Sequence, residues 1–245
     1  MKLQRTLLCL MVLITSTTVI ASGNANQQSF NKAKRILQNQ VYYDNRVTLY
    51  CGADFDKDKN IITPEGFVTT KHVKRAKRVE WEHVVPAENF GRNFKEWREG
   101  DKRCINSKGK SYKGRKCAEK LNIAYRYMQA DMHNLFPAIG AVNAMRSNYN
   151  FTMLPQTESG FGSCDMRIQK RKAEPPIASR GRIARTYLYM EKTYSNYHMS
   201  KQQRKLMNAW DKQFPVTDWE CKKADRISQL QGNVNVVVKT RCDQR

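Results

Sequence analysis

Val79-Glu80-Trp81-Glu82-His83-Val84-Val85-Pro86-Ala87 sets a histidine directly behind a carboxylate, among aromatic and apolar residues. The residues before Pro86 alternate or run apolar, the pattern of a half-buried strand. Proline cannot donate to a sheet ladder, so Pro86 ends the strand. Glu88 to Glu99 then reads as a helix. His83 therefore stands where a strand hands over to a loop, a usual place for chemistry on a rigid support. Glu82 and His83 are neighbours, so in a regular strand they face opposite ways. For both to serve one site the strand must end or twist here. Glu80 shares a strand face with Glu82, and either could be a ligand.

Toward the N-terminus, Met1-Lys2-Leu3-Gln4-Arg5 is a short positive segment. An apolar run from Leu7 to Ile20 and the small residues Ala21, Ser22 and Gly23 follow it. This is the pattern of a secretory signal peptide over residues 1–21, with cleavage after Ala21, Gly23 or Ala25. Cys9 lies in the apolar run and is lost with it. The run is shorter than the roughly 20 residues that a membrane helix needs. No later segment is longer or more apolar, so the mature form is expected to be soluble, without a membrane segment. Residues 22–245 show no Gly/Ser/Pro-rich linker and no repeat, and read as a single domain.

The chain holds 44 Lys+Arg against 22 Asp+Glu. Removal of Lys2 and Arg5 leaves 42 − 22 = +20 on the mature form. The cations are spread along the chain and not confined to a tail. A cationic surface that only aids solubility is one reading; a polyanion partner, most often nucleic acid, is the sharper one. The basic segment Lys71-His72-Val73-Lys74-Arg75-Ala76-Lys77-Arg78, just before Glu80, suits a phosphate-contacting face.

Six cysteines survive processing: Cys51, Cys104, Cys117, Cys164, Cys221 and Cys242. An even count in an exported chain implies three disulfides. Proximity in sequence favours Cys104–Cys117 and Cys221–Cys242, which leaves Cys51–Cys164. The cysteines are too far apart for a C-x-x-C zinc site. Asp54, Asp56 and Asp58 have the spacing of a calcium loop but lack its glycine and terminal glutamate, so a solvated turn is expected.

Helical spacing of apolar residues predicts helices over Phe30–Val41, Cys117–Asp131, Ala178–Tyr197 and Lys201–Phe214, the last capped by Ser200. Thr217 can cap a further helix through Trp219 and Ala224 to Leu230. Val47 to Cys51 is β-branched and aromatic and reads as a strand ended by Gly52. Asn106 to Lys116 is a flexible basic loop, which a Cys104–Cys117 bridge would close. The fold class is α+β, with more helix than strand.

Hydrolysis of a phosphodiester needs a base for the water, a divalent cation on the phosphate oxygens, and a cationic group to hold the phosphate. A neutral imidazole is a suitable base near pH 7. Mg²⁺ keeps several waters and needs little more than one carboxylate and one amide oxygen. A lone histidine is more often a satisfied core residue, and a lone glutamate a surface ion pair.

Four blocks together outweigh those bland readings. Glu80-Trp81-Glu82-His83-Val84-Val85-Pro86-Ala87 resembles the active-site signature of the bacterial periplasmic and secreted endonuclease I family. Asp131-x-His133-Asn134-Leu135-x-Pro137-Ala138-Ile139-Gly140-x-Val142-Asn143-x-x-Arg146-Ser147-Asn148 is similar to its second signature. Arg180-Gly181-x-Ile183-Ala184-Arg185-Thr186-Tyr187 and Trp219-Glu220, followed by Arg226-Ile227, complete the resemblance over nearly the whole mature chain.

The resemblance implies a helix-rich single domain with a ββα-metal (His-Me finger) active site. It implies a monomeric, periplasmic or secreted endonuclease that cuts double- and single-stranded DNA, and RNA, with little sequence preference. The ends left are 5′-phosphate and 3′-hydroxyl. It makes His83 the general base and Glu82 and Asn134 the ligands of one Mg²⁺, for which Mn²⁺ or Ca²⁺ could substitute. Glu80 then supports the site from behind, with His133 and Asn148 either joining it in that support or serving as scaffold. The phosphate-holding arginine falls on Arg103, with Lys102 as the alternative. The family often has C-G-C where this chain has Cys51-Gly52-Ala53, a cysteine near Lys95, and G-N-x-N-P where this chain has Gly232-Asn233-Val234-Asn235-Val236.

Overall fold

The computed structural model describes residues 23–245; the expected signal peptide lies outside them. The N-terminal helix α1 (Phe30–Ile36) is capped by Ser29 and continues as a π-helical turn, Leu37–Val41. A short helix α2 (Val73–Ala76) precedes strand β1 (Val79–His83). Two short helices follow, α3 (Ala87–Gly91) and α4 (Lys95–Arg98). The expected single helix from Glu88 to Glu99 is thus broken. The break follows Gly91, where the Trp97 ring packs so closely that a Cβ would lie 2.4 Å from it. Helices α5 (Arg115–Leu121) and α6 (Ile123–Gln129) divide the expected helix Cys117–Asp131 at Asn122, whose side chain caps α6 by accepting from the Tyr125 N–H.

Strand β2 (Leu135–Ile139) runs antiparallel to β1, in register from Val79 opposite Ile139 to His83 opposite Leu135. Helix α7 (Gly140–Arg146) leaves β2 directly. A second sheet holds β3 (Asn150–Phe151), β4 (Arg167–Gln169) and β5 (Lys172–Glu174) in the order β3-β5-β4. The C-terminal third is helical: α8 (Arg180–Thr193), α9 (Lys201–Gln213), α10 (Asp218–Gln231) and α11 (Val236–Asp243). Ser200 and Thr217 cap α9 and α10 as their side chains predict. Asn235 caps α11 and puts Val236 at the first helical position, where proline is well tolerated. The tail therefore takes its shape without the family's proline. The fold is mixed, with much more helix than strand.

The β1–β2 hairpin lies between two apolar clusters. Val79 and Trp81 join Leu37, Val41, Tyr42, Leu135 and Ile227 on one side. Phe136, Ala138 and Ile139 join Val84, Val85, Phe90, Tyr187 and Met190 in the larger cluster. The alternation read in the sequence is real, but both faces of the hairpin are covered, so Glu82 is buried as well. Val47 to Cys51 is not a strand. Only Val47 makes a bridge, to Asp54, and the chain turns at Gly52, whose φ is +62°. The Leu49 N–H donates to the Pro137 carbonyl, which lays this turn along β2. All three disulfides form as sequence proximity suggested: Cys51–Cys164, Cys104–Cys117 and Cys221–Cys242.

Candidate active site

A cleft of about 420 Å³ opens where β1 ends. Its lining includes Glu82, His83, Arg115, Asn143 and Asn148. Glu82 and His83 occupy the last two ladder positions of β1, opposite Phe136 and Leu135. The strand does end there, and both residues reach one cleft. Pro86 starts α3 immediately afterwards.

The His83 ring is fixed on three sides. Phe30 lies 4.7 Å from it and Phe90 6.4 Å, centroid to centroid. Its Nε2 sits 2.8 Å from the Gln129 carbonyl oxygen. A carbonyl can only accept, so Nε2 carries the hydrogen and Nδ1 keeps a free lone pair. Burial, and then the charge of Arg115, push the His83 pKa down to about 3. The imidazole is neutral near pH 7, as a base must be.

Glu82 is held through one oxygen. Its Oε1 accepts from the Tyr50 hydroxyl at 2.6 Å and from Arg146 Nη1 at 2.7 Å. Oε2 takes no hydrogen bond from the protein among the described residues. Burial pushes the carboxyl pKa up, while Arg146 and Tyr50 pull against it. Arg146 is fully buried; it also donates to the carbonyls of His83 and Val84 and lies over the Phe151 ring. It ties the end of β1 to α7.

Glu80 stands two residues before Glu82 on β1, next to the cleft residues Arg75 and Asn143. Arg75 holds both its oxygens, and Asn143 Nδ2 donates to its Oε2 at 3.0 Å. A carboxylate only accepts, so this bond turns the Asn143 amide and leaves its Oδ1 for the cleft. The basic segment before β1 thus splits its work. Arg75 lines the cleft and orders Glu80, while Arg78 lines a larger adjoining hollow of about 940 Å³ with Lys34 and Lys59.

Two expected residues are elsewhere. Asn134 is buried, and its amide is spent on the backbone of Val85: Oδ1 accepts from the N–H at 2.8 Å and Nδ2 donates to the carbonyl at 3.0 Å. It pins the end of β1 and does not line the cleft. Arg103 is exposed and forks onto Asp101 at 2.9 and 3.1 Å. It does not line the cleft, whereas Arg115, at the start of α5 and within the loop that Cys104–Cys117 closes, does. His133 belongs to the scaffold, edge-on to Tyr189 and bonded to the Asn233 carbonyl. Asn148 lines the cleft and donates to Glu88.

Sequence reasoning gave no role to Asn143, Arg146, Tyr50 or Arg115. Asn143 and Arg146 stand three apart in the second signature, one turn of the same helix. A polar pair on an otherwise apolar stripe was the available signal. Tyr50 and Arg115 carried none, because only the tertiary fold brings them here. Among the described residues no three His, Cys, Asp or Glu side chains cluster as they would in a site built of such ligands alone. Glu82 and Asn143, one with a carboxylate oxygen and the other with an amide oxygen free of protein hydrogen bonds among the described residues, line the same cleft. Both are hard donors, and so sparse a set suits a cation that keeps its water.

The Endonuclease I family model matches residues 24–242. The chain belongs to the endonuclease I family. An extracellular deoxyribonuclease of Aeromonas hydrophila is 41% identical over 222 residues, covering 88% of this chain and 91% of the relative. A periplasmic deoxyribonuclease of the same organism is 37% identical over 239 residues, covering 95% and 93%. An Endonuclease-1 of Buchnera aphidicola is 36% identical over 233 residues, covering 89% and 87%. This endonuclease I chain is thus a nuclease among hydrolases, and its relatives put it in the periplasm or the medium. Among the described residues no helix is long and apolar enough to cross a membrane.

Proposed function

We propose that this endonuclease I family member hydrolyses phosphodiester bonds of DNA, and of RNA, without sequence preference, leaving 5′-phosphate and 3′-hydroxyl ends. The observation that carries the reading is the state of His83. Its Nε2–H is committed to the Gln129 carbonyl, and its Nδ1 is unprotonated in a cleft shared with Glu82 and Asn143. The site is a ββα motif of the His-Me finger kind, built from β1, β2 and α7.

His83 Nδ1 takes the proton of the attacking water. The positive charge that then develops on the ring is supported at Nε2–H by the Gln129 carbonyl, so the ring does not reorient during the step. Glu82 Oε2 and Asn143 Oδ1 are the groups that would hold Mg²⁺, with Mn²⁺ or Ca²⁺ as substitutes. When bound, that cation supplies charge neutralisation at the nonbridging and leaving oxygens of the phosphate. Arg146 and Tyr50 hold the other Glu82 oxygen, and Glu80 holds the other end of the Asn143 amide, so both ligands are oriented before the cation arrives. Arg115 is the cation for the scissile phosphate, in place of Arg103. Contacts to the backbone and not to base edges would give the lack of sequence preference.

Supercoiled plasmid and a structured RNA, incubated with the purified oxidised protein in Mg²⁺, test this reading. Both should be degraded, EDTA should stop the reaction, and the ends should accept a ligase without phosphatase or kinase treatment. Degradation that continues in excess EDTA would refute the metal site.

A further inference from the structure

The turn between β4 and β5 breaks the sequence rule for its own geometry. Gln169 pairs with Lys172, so Lys170 and Arg171 alone close the hairpin. Both stand at positive φ, 46° and 60°. That is the primed two-residue turn, in which Asn-Gly is the usual pair because a Cβ is disfavoured at both positions. Here two long basic side chains hold the place, and Lys172 follows them. All three are exposed. The acids nearest in the chain are already taken: Asp165 by Arg167 and Glu174 by Arg180. Backbone strain of this kind persists where the side chain it presents has a use.

The tip borders a hollow of about 330 Å³, lined by Arg92, Lys170, Arg171 and Lys172 among others. Glu88 and Asn148 line this hollow and also the catalytic cleft, so the two adjoin. Glu88, the one acid in the hollow, is occupied by Arg92 and Asn148. The hairpin is not a loose arm. Asn150 of β3 pairs with Lys172, and its side chain accepts from Asn89 of α3 at 3.0 Å. The frame that carries the tip is thus tied to the helix that follows His83.

We propose that the Lys170–Arg171 turn is a phosphate-binding subsite that holds the sugar–phosphate backbone of the nucleic acid away from the bond being cut. The subsite rests on the nuclease reading above and adds the path of the substrate beyond the scissile phosphate. Two adjacent cations on a short, tied hairpin contact phosphates without reading bases. They act as positioning residues, on binding and not on the chemical step.

The test is Lys170→Asn/Arg171→Gly, which supplies the turn's usual pair and removes both charges. This variant is expected to unfold at the wild-type temperature or above it. On a duplex of about 20 base pairs, its KM should rise about tenfold at physiological salt with kcat unchanged. The slope of log affinity against log salt should become shallower by about two, near 0.9 for each phosphate no longer neutralised. Lys192→Asn/Lys212→Asn, at positions lining neither the cleft nor this hollow, removes the same charge and should change KM little. If the double turn variant does not fold, Arg171→Gly alone should show about half the change in slope. KM and slope equal to wild type, or equal to those of the control pair, would overturn the subsite while leaving the nuclease reading intact. A wild-type protein that neither binds nor cuts the duplex would overturn both.

Discussion

Asn134 and Asn143 lie in the same signature block, and nothing in residue type separates them. Their surroundings do. Asn134 is surrounded by backbone that needs a donor and an acceptor, and it satisfies both groups of Val85. Asn143 meets a carboxylate on one side and open cleft on the other. Substitutions should therefore divide cleanly. Asn134→Ala leaves two buried backbone groups unpaired, at about 1–3 kcal/mol each, and should cost about 2–6 kcal/mol in urea unfolding. Asn143→Ala should leave unfolding nearly unchanged, and nuclease assays across a Mg²⁺ titration should require far more cation. The arginines divide in the same way. Arg115→Ala should slow plasmid cleavage by about tenfold to a hundredfold, a charged contact of about 1.5–3 kcal/mol, whereas Arg103→Ala should cleave at the wild-type rate. The placing of Glu82 and His83 at one cleft, with Glu80 on the same strand, was legible in the sequence because the three lie in one contiguous stretch. Arg115 and Tyr50 were not, since a cation or a phenol far off in the chain carries no mark of where it will fold.

At the scale of elements, the β1–β2–α7 unit depends on a close approach that only glycine allows. A Cβ on Gly140 would lie 2.5 Å from the Arg75 carbonyl oxygen and 3.0 Å from the Glu80 carboxyl. Gly140→Ala must push α2 or Glu80 away, and Glu80 is what orients Asn143. Thermal unfolding should show a loss of about 1–3 kcal/mol, the range for overpacking, and activity should fall beyond what the lost stability explains. Helices with a strong apolar stripe and a side-chain cap, α9 and α10, were readable to within a residue or so from Ser200 and Thr217. Val47 to Cys51 misled because its aromatic and β-branched residues are buried by packing against the hairpin, not by pairing in a sheet. The split of the helix after Pro86 was hidden because the packing of the Trp97 ring against Gly91, where α3 ends, is a contact between two helices.

Across the molecule, a second buried polar centre lies apart from the cleft. Asp131 accepts from the hydroxyls of Tyr189 at 2.7 Å and Tyr194 at 2.6 Å, and from Gln231 at 2.9 Å. The Asn24 N–H donates to Tyr194, and His133 packs on Tyr189 and bonds to the Asn233 carbonyl. This network joins the start of the described chain, the approach to β2, the end of α8 and the end of α10. His133 is neutral within it, with a pKa held down to about 4 by burial. The unfolded chain takes up that proton below about 6.5, the folded chain only below about 4. The contribution of His133 is therefore complete above pH 6.5 and lost as pH falls to 4. It amounts to about 3 kcal/mol. Urea unfolding of His133→Gln should show a flatter dependence on pH across that window than the wild type. The charge excess, the even cysteine count and the exported character of the chain are all legible in residue types and their order. The sharing of the Asp131 network among four distant segments is not, because its members are ordinary polar residues until they meet.

Plasmid cleavage by His83→Ala, measured beside DNA binding, bears most directly on the assignment of His83 as the base. The imidazole lies at the end of β1, and its removal leaves Glu82, Asn143 and the cationic surface in place. Cleavage should fall by about 10²–10⁴-fold, while affinity for DNA, measured in EDTA so that neither protein cuts, stays within a few-fold of wild type. Cleavage at the wild-type rate with folding intact would contradict the account.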